Sequence, residues 1–146
     1  DILKDLDFVI AGIHTAFGQD KETVTKRLIS AIENPYVRVI SHPSGRLLNE
    51  RDPADPDWRK IFSAARDNGV ILEINAQPQR LDLPDDLAKS AMEWGVDLII
   101  DSDAHSTREL SFMRYGVDNA RRGWIQKDNV INTLTYDKFI KKLRLV

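Results

Sequence analysis

Apolar residues concentrate in four short runs, each ending abruptly in polar residues, and between the runs the apolar positions change to helical spacing. The first run lies in Asp7 to Ile13 and stops at His14; the second, Val37 to Ile40, stops at Ser41-His42-Pro43. Val70 to Ile74 stops at Asn75, and the fourth, beginning at Val96, runs through Asp-Leu-Ile-Ile into Asp101-Ser102-Asp103-Ala104-His105. Continuous apolar runs of this kind fit strands buried on both faces of a parallel sheet. Between them, Val24, Leu28, Ile29 and Ile32 predict a helix that Asp20 caps and Asn34-Pro35 stops. Trp58, Ile61, Phe62 and Ala65 predict a second, starting near Asp57 and closed by Asn68-Gly69. Pro84 opens a third through Leu87, Ala88, Ala91 and Trp94, with Gly95 at its end. Two short helical stretches follow, near Thr107 to Met113 and Val117 to Arg122. After Tyr136 a closing helix carries Phe139, Ile140 and Leu143 on one face. The strand-helix alternation predicts an α/β fold of about four parallel βα units with right-handed crossovers, a partial (βα) barrel.

Bulk properties narrow the chemistry. At 146 residues the chain is one domain by length. Mean hydropathy of -0.38 and the absence of a long apolar run or leader pattern predict a cytoplasmic protein with no membrane partner. With no cysteine, any metal must be held by His, Asp and Glu. A net charge of -2 gives no global attraction to nucleic acid, so contact with DNA would need a local basic patch.

The chain has three histidines, His14, His42 and His105, and each falls at or just past the carboxyl end of an expected strand. That rim is where α/β folds collect chemistry. Asp103 and His105, two apart in extended or loop backbone, point the same way and pair a hard oxygen with an imidazole nitrogen. Alone, such a tripeptide is equally a helix cap beside a surface histidine. Three histidines and Asp103 at one rim make a metal site the better reading of the set. Ser44, Gly45 and Arg46 follow His42 and suit either a grip on phosphate or a tight turn with a solvated arginine. Asn75 sits where it would orient substrate or water. Glu73 is either a buried acid with a partner or a barrel-interior residue near the metals. Arg114, Arg121 and Arg122, next to Tyr115 and Trp124, form either a patch for a nucleic-acid backbone or a solvated helix face.

The motifs Ile-His14-Thr-Ala-Phe, Ser-His42-Pro-Ser-Gly-Arg-Leu-Leu, Leu72-Glu-Ile-Asn75 with Arg80-Leu-Asp-Leu83, and Ser102-Asp-Ala-His-Ser106 resemble successive motifs of the polymerase and histidinol phosphatase (PHP) superfamily. Phe112-Met-Arg-Tyr-Gly-Val117 and Ala120-Arg-Arg-Gly-Trp124 are similar to the carboxyl-terminal PHP domain of bacterial and archaeal family X DNA polymerases. The resemblance implies a distorted seven-stranded βα barrel holding up to three manganese or zinc ions. It implies a phosphoesterase acting as a 3′-5′ exonuclease or DNA 3′-end processing domain in repair. His14, His42, Asp103 and His105 would be metal ligands and Arg46 would lie beside the scissile phosphate, joined by Asn75 as a catalytic residue and by Ser44, Arg114, Arg121 and Arg122 on substrate. Glu73 is not carried over as a ligand.

The family's opening His-x-His and the ligands that precede the equivalent of His14 have no counterpart in this sequence. Residues 1–146 are therefore expected to be the carboxyl-terminal portion of a PHP domain from a longer polymerase, whose amino-terminal half supplies the remaining ligands and whose partner is a DNA 3′ end. The unpaired sheet edge near Phe8 to Ile13 would invite self-association. Two other readings stand beside the exonuclease: a phosphomonoesterase of the histidinol-phosphatase type, and a non-catalytic module that positions DNA or docks polymerase domains.

Overall fold

In a computed structural model, which describes residues 2–143, four parallel strands form one sheet in the order β1-β2-β3-β4. They are β1 (Val9–Gly12), β2 (Val37–Ser41), β3 (Ile71–Asn75) and β4 (Leu98–Asp101). Helices α1 (Lys21–Ile32), α2 (Trp58–Asn68) and α3 (Asp85–Glu93) connect them, and α4 (Met113–Arg122) and α5 (Tyr136–Leu143) follow. The architecture is α/β, a partial βα barrel as the strand-helix alternation predicts.

Local chemistry sets the boundaries. Asp20 caps α1, accepting from the Thr23 N–H at 2.9 Å and from the Thr23 hydroxyl at 2.7 Å, and these bonds hold its carboxyl below the usual range. Asp57 caps α2, and Gly69 ends it in the left-handed region at φ 64°, a conformation that costs glycine little. Pro84 occupies the cap position of α3 rather than its first turn. β4 is shorter than the apolar run, because the backbone leaves the ladder after Asp101. The two helical stretches expected beyond it are joined: a 3-10 helix, Thr107–Phe112, leads directly into α4. Further 3-10 turns at Ile2–Asp5, Lys127–Asn129 and Ile131–Thr133 carry no periodic signal long enough to be legible in sequence.

The sheet has two different faces. The outer face joins Leu72, Ile74, Leu98 and Ile100 to the helices through Leu28, Ile32, Ile61, Phe62 and Ala88. On the inner face, Val39, Ile71 and Ile99 pack against Ile131 and Leu143, flanked by Phe8, Leu134 and Phe139. Thus α5 covers the amino-terminal half of the inner face instead of joining the helix layer. Towards the carboxyl ends the inner positions turn polar: Ser41 beside Gly12, then Glu73, then Asn75 beside Asp101. The period of two thus carries the sheet from an apolar floor to a polar rim.

The two sheet edges also differ. Beyond β4, the Asn132 carboxamide accepts from the Ile100 N–H at 2.8 Å and donates to the Ile100 carbonyl at 2.9 Å, standing in for a strand's peptide group. On the other side, β1 has no strand neighbour among the described residues apart from β2, and Ile10 is 50% exposed. No helix among the described residues is long and apolar enough to cross a membrane.

Gly116 lets α4 lie against the sheet: a Cβ there would sit 2.5 Å from Ile100 Cγ2 and 2.9 Å from Ala76 Cβ. Gly116→Ala is expected to lower unfolding stability by about 1–3 kcal/mol despite its better helix propensity. Urea denaturation checks this; an unchanged or raised midpoint would contradict the close approach.

Candidate metal centre

The rim is organised from a buried acid outward. The Glu73 carboxyl, at the centre of the sheet, accepts from the His42 backbone N–H and, at 3.1 Å, from Asn75 Nδ2. The same Asn75 amide donates to Asp103 Oδ2 at 3.1 Å, and its oxygen accepts from the Gln77 N–H at 3.0 Å. Asp103 is further pinned by its own N–H on Asp101 Oδ1 at 2.9 Å. Both His42 (φ 29°) and Asp103 (φ 47°) have positive φ, a sparsely populated region for residues with a Cβ, so the surrounding bonds must over-determine them.

The histidines fall around this ladder. His14 and His42 meet edge to face with ring centroids 4.9 Å apart. Both close over Gly12: a Cβ there would lie 3.0 Å from His14 Nε2 and 3.0 Å from His42 Cε1, and would overlap Ser41 Oγ. His105 Nδ1 lies 2.7 Å from the Asp103 carbonyl. A carbonyl only accepts, so Nδ1 carries the proton, and Nε2 is the ring nitrogen turned away from this bond. Glu109 fixes this turn by accepting from the His105 N–H (2.9 Å), Gln77 Nε2 (3.0 Å) and the Ser106 hydroxyl (3.1 Å). These bonds, the His105 N–H first, hold its carboxyl below the usual range.

Burial splits the titratable groups. Desolvation, reinforced by the Asp101 carboxylate alongside, pushes Glu73 up from 4.5 to about 10, so it is a neutral acid at physiological pH. Desolvation also lowers His42, helped by the charges of Arg80 and His14 and opposed by Asp103. A neutral imidazole follows, which is the form that binds metal.

Other expected site residues are placed differently. Ser44 is fully buried, its N–H donated to Asp82 Oδ1 at 3.1 Å. The Gly45 N–H bonds the His42 carbonyl and the Arg46 N–H reaches Ser44 Oγ, leaving no free amides to cradle a phosphate. The Arg46 guanidinium donates through Nε to the Arg80 carbonyl (2.7 Å) and through Nη2 to the Leu81 carbonyl. Asn75 is fully buried, and its amide is engaged by Glu73, Asp103 and the Gln77 N–H. The three tail arginines do not form one patch. Arg114 lies over the Tyr115 ring, 4.6 Å from its centroid, near the start of α4, while Arg122 pairs with Asp85 of α3 at the helix's far end.

Sequence reading missed Arg80, whose Nε lies 3.6 Å from Asp103 Oδ2, together with Gln77 and Glu109. Ser106-x-x-Glu109 has the spacing of a capping box and was a usable signal. Nothing local marked Arg80, because only the fold shows that it reaches Asp103 while Arg46 meets backbone carbonyls.

The donors fit a divalent cation in kind. They are imidazoles and a carboxylate, with a cradle at Gly12 that a side chain would fill and a buried His42 Nδ1 that has no hydrogen-bond partner among the described residues. In number they fall short: no group of three or more His, Asp or Glu among the described residues is arranged to hold a metal ion.

A βα sheet with histidines and a carboxylate at the carboxyl ends of its strands is the class that fold and site define. No protein-family model matches the chain. Over 132 residues, 90% of this chain, it is 42% identical to a protein named "DNA polymerase/3'-5' exonuclease PolX" of Bacillus subtilis (strain 168), covering 23% of that relative. It is 34% identical over 142 residues to a "Probable phosphatase" of Thermoanaerobacter sp. (strain X514), covering 90% of this chain and 55% of the relative. A third relative, a "Probable phosphatase" of Caldanaerobacter subterraneus subsp. tengcongensis, is 37% identical over 114 residues, 71% of this chain and 42% of its own. The chain thus spans between about a quarter and about half of the relatives it matches.

Glu73 makes the fold pH-sensitive. An unfolded chain releases this proton near 4.5 and the folded chain keeps it to about 10, so stability is fully present below pH 4.5 and is lost as pH rises through that window. The loss approaches about 1.4 kcal/mol per pH unit, roughly 4–5 °C in Tm for a chain of this size. Glu73→Gln, which keeps the neutral shape, is expected to remove this slope. Melting curves from pH 5.5 to 8.5 in chelator test it, and parallel pH profiles for the two proteins would show that Glu73 ionises in the fold.

Proposed function

We propose that this chain is the carboxyl-terminal portion of a PHP-type, metal-dependent phosphoesterase domain that processes DNA 3′ ends within a family X DNA polymerase. The observation that carries the reading is neutral His42, packed on His14 over Gly12 at the same rim as Asp103 and His105. Similarity to a protein named as a DNA polymerase and 3′-5′ exonuclease supports the choice of reaction and substrate.

His14, His42, Asp103 and His105 would hold manganese or zinc, with further ligands from a preceding segment of a longer protein. Such ions supply Lewis acidity that activates water and offsets charge developing on the phosphate. The chain's own residues set the geometry. Asn75 fixes the Asp103 carboxylate, and Glu73, neutral, holds the His42 backbone without adding a second negative charge at the sheet centre. Gln77 and Glu109 hold the turn that carries His105, so that Nε2 is presented and Nδ1 is occupied.

A phosphomonoesterase reading is favoured by the relatives named as phosphatases, of which the chain covers more than it does of the polymerase. A non-catalytic, DNA-positioning role is favoured by the small number of donors that converge.

Three measurements separate these readings. Metal analysis after dialysis against manganese is expected to give at least about one ion per chain if His14, His42, Asp103 and His105 converge on a cation; less supports the non-catalytic role. Asp103→Asn is expected to cut manganese-dependent nucleotide release from a DNA 3′ end at least about 100-fold, and unchanged release would sink the site assignment. Faster turnover of a small phosphate ester than of single-stranded DNA would favour the monoesterase.

A further inference from the structure

Helix α4 ends in a two-bond turn of the kind that usually closes on glycine. The Trp124 N–H reaches the Arg121 carbonyl at 3.1 Å and the Ile125 N–H reaches the Ala120 carbonyl at 3.0 Å, which puts Trp124 itself in the left-handed position. Its φ is 59°, a conformation that penalises any residue with a Cβ. The neighbouring Gly123 is needed for space instead, since a Cβ there would come 2.5 Å from the Asp85 carbonyl oxygen. The Trp124 indole is 73% exposed and makes no hydrogen bond or ring contact among the described residues. The backbone is thus strained to hold an indole in solvent.

Trp124 is also the last of a series. Leu110, Arg114, Val117, Arg121 and Trp124 follow one another at spacings of four and three residues, along the 3-10 helix Thr107–Phe112 and the α4 helix it leads into. Residues so spaced share one helix face, and here apolar residues and arginines alternate as the two seam positions of a heptad. Leu110 is 60% exposed, Val117 is 43% exposed, and both arginines are exposed. Gly116 packs on the sheet, so this stripe, about 21 Å long, looks away from it. Arg114 is steadied by stacking on the Tyr115 ring, while the Arg121 guanidinium makes no hydrogen bond among the described residues.

Charge and apolar content together decide what covers such a stripe. A second copy of it would bring four arginines to one seam with no seam carboxylate to pair them. A nucleic-acid strand would use the arginines and Trp124, but Leu110 and Val117 offer nothing to a phosphate, and the exposed Asp118 next to Val117 repels a polyanion. An acidic amphipathic helix uses every position, its apolar residues against Leu110, Val117 and Trp124 and its carboxylates against Arg114 and Arg121. We infer that this face of α4 is a docking surface for an acidic amphipathic helix of a protein partner, with Trp124 as its anchor. Trp and Arg are the residue types that dominate interface energies. The surface is independent of the phosphoesterase reading of the rim.

The probe is a fluorescein-labelled three-heptad helical peptide with leucine at one seam position and glutamate at the other and beside it. Anisotropy titrations of the chain compare it with the same peptide carrying lysine for every glutamate and with a labelled oligothymidylate. The acidic peptide is expected to bind at least about tenfold tighter than either. Trp124→Gly should weaken it at least about tenfold while raising Tm by about 2–4 °C, because glycine relieves the positive φ. Arg121→Glu should shift the preference towards the lysine peptide. Tighter binding of oligothymidylate than of the acidic peptide overturns the proposal in favour of a nucleic-acid track. No binding of the acidic peptide, or binding unchanged in Trp124→Gly, removes the docking surface, and a Tm lowered by that substitution assigns the indole to the fold instead.

Discussion

A carboxyl group buried at the centre of a parallel sheet must be neutral or paired, and Glu73 is where this protein meets that constraint. Because the side chain stays protonated beside Asp101, it accepts from the His42 N–H and the Asn75 amide without a buried negative charge needing compensation. Everything at the rim is tied to that arrangement. His42 takes a positive φ because its N–H is held there, Asn75 passes the constraint to Asp103, and the Asp103 carbonyl fixes the His105 ring. Four residues from three strand ends are thereby set by one hydrogen-bonded chain.

That order is made affordable by the opposite end of the sheet. Val39, Ile71 and Ile99 bury their side chains under α5 and the Ile131 turn, so the inner face is closed where it is apolar and open where it is polar. Apolar burial at the floor offsets the cost of a polar, partly strained rim. The β4 edge is closed by Asn132, while β1 has no strand neighbour but β2 among the described residues.

The loops show how the same residue types divide into structure and chemistry. Arg46 and Arg51 both point inward to carbonyls, with Arg51 gripping Gly45 and lying 3.6 Å over the centre of the Phe17 ring. Arg80, carried by the backbone that Arg46 holds, reaches Asp103 Oδ2 at 3.6 Å. Gly45 tolerates this folding because its φ is 65° and a Cβ would come within 2.8 Å of the Phe17 ring. A motif that the sequence left open between a phosphate grip and a tight turn also holds, through Arg46, the backbone of a second arginine.

By itself the sequence determined the four strands, the capped helices between them, and the placing of His14, His42, Asp103 and His105 at strand ends. Those features rest on period, cap and turn chemistry, which are local. It left undecided which polar side chains the backbone would use up. Ser44, Arg46 and Asn75 look like ligand-facing groups in a string of letters, and only the tertiary structure shows the protein groups that their donors meet. It also split the tail arginines along α4, sent α5 to the inner face, and brought Arg80 and Phe112 to one cleft. The physical reason is the same throughout: a hydrogen-bond donor is free or spent according to what lies opposite it, and what lies opposite is set by contacts distant in sequence.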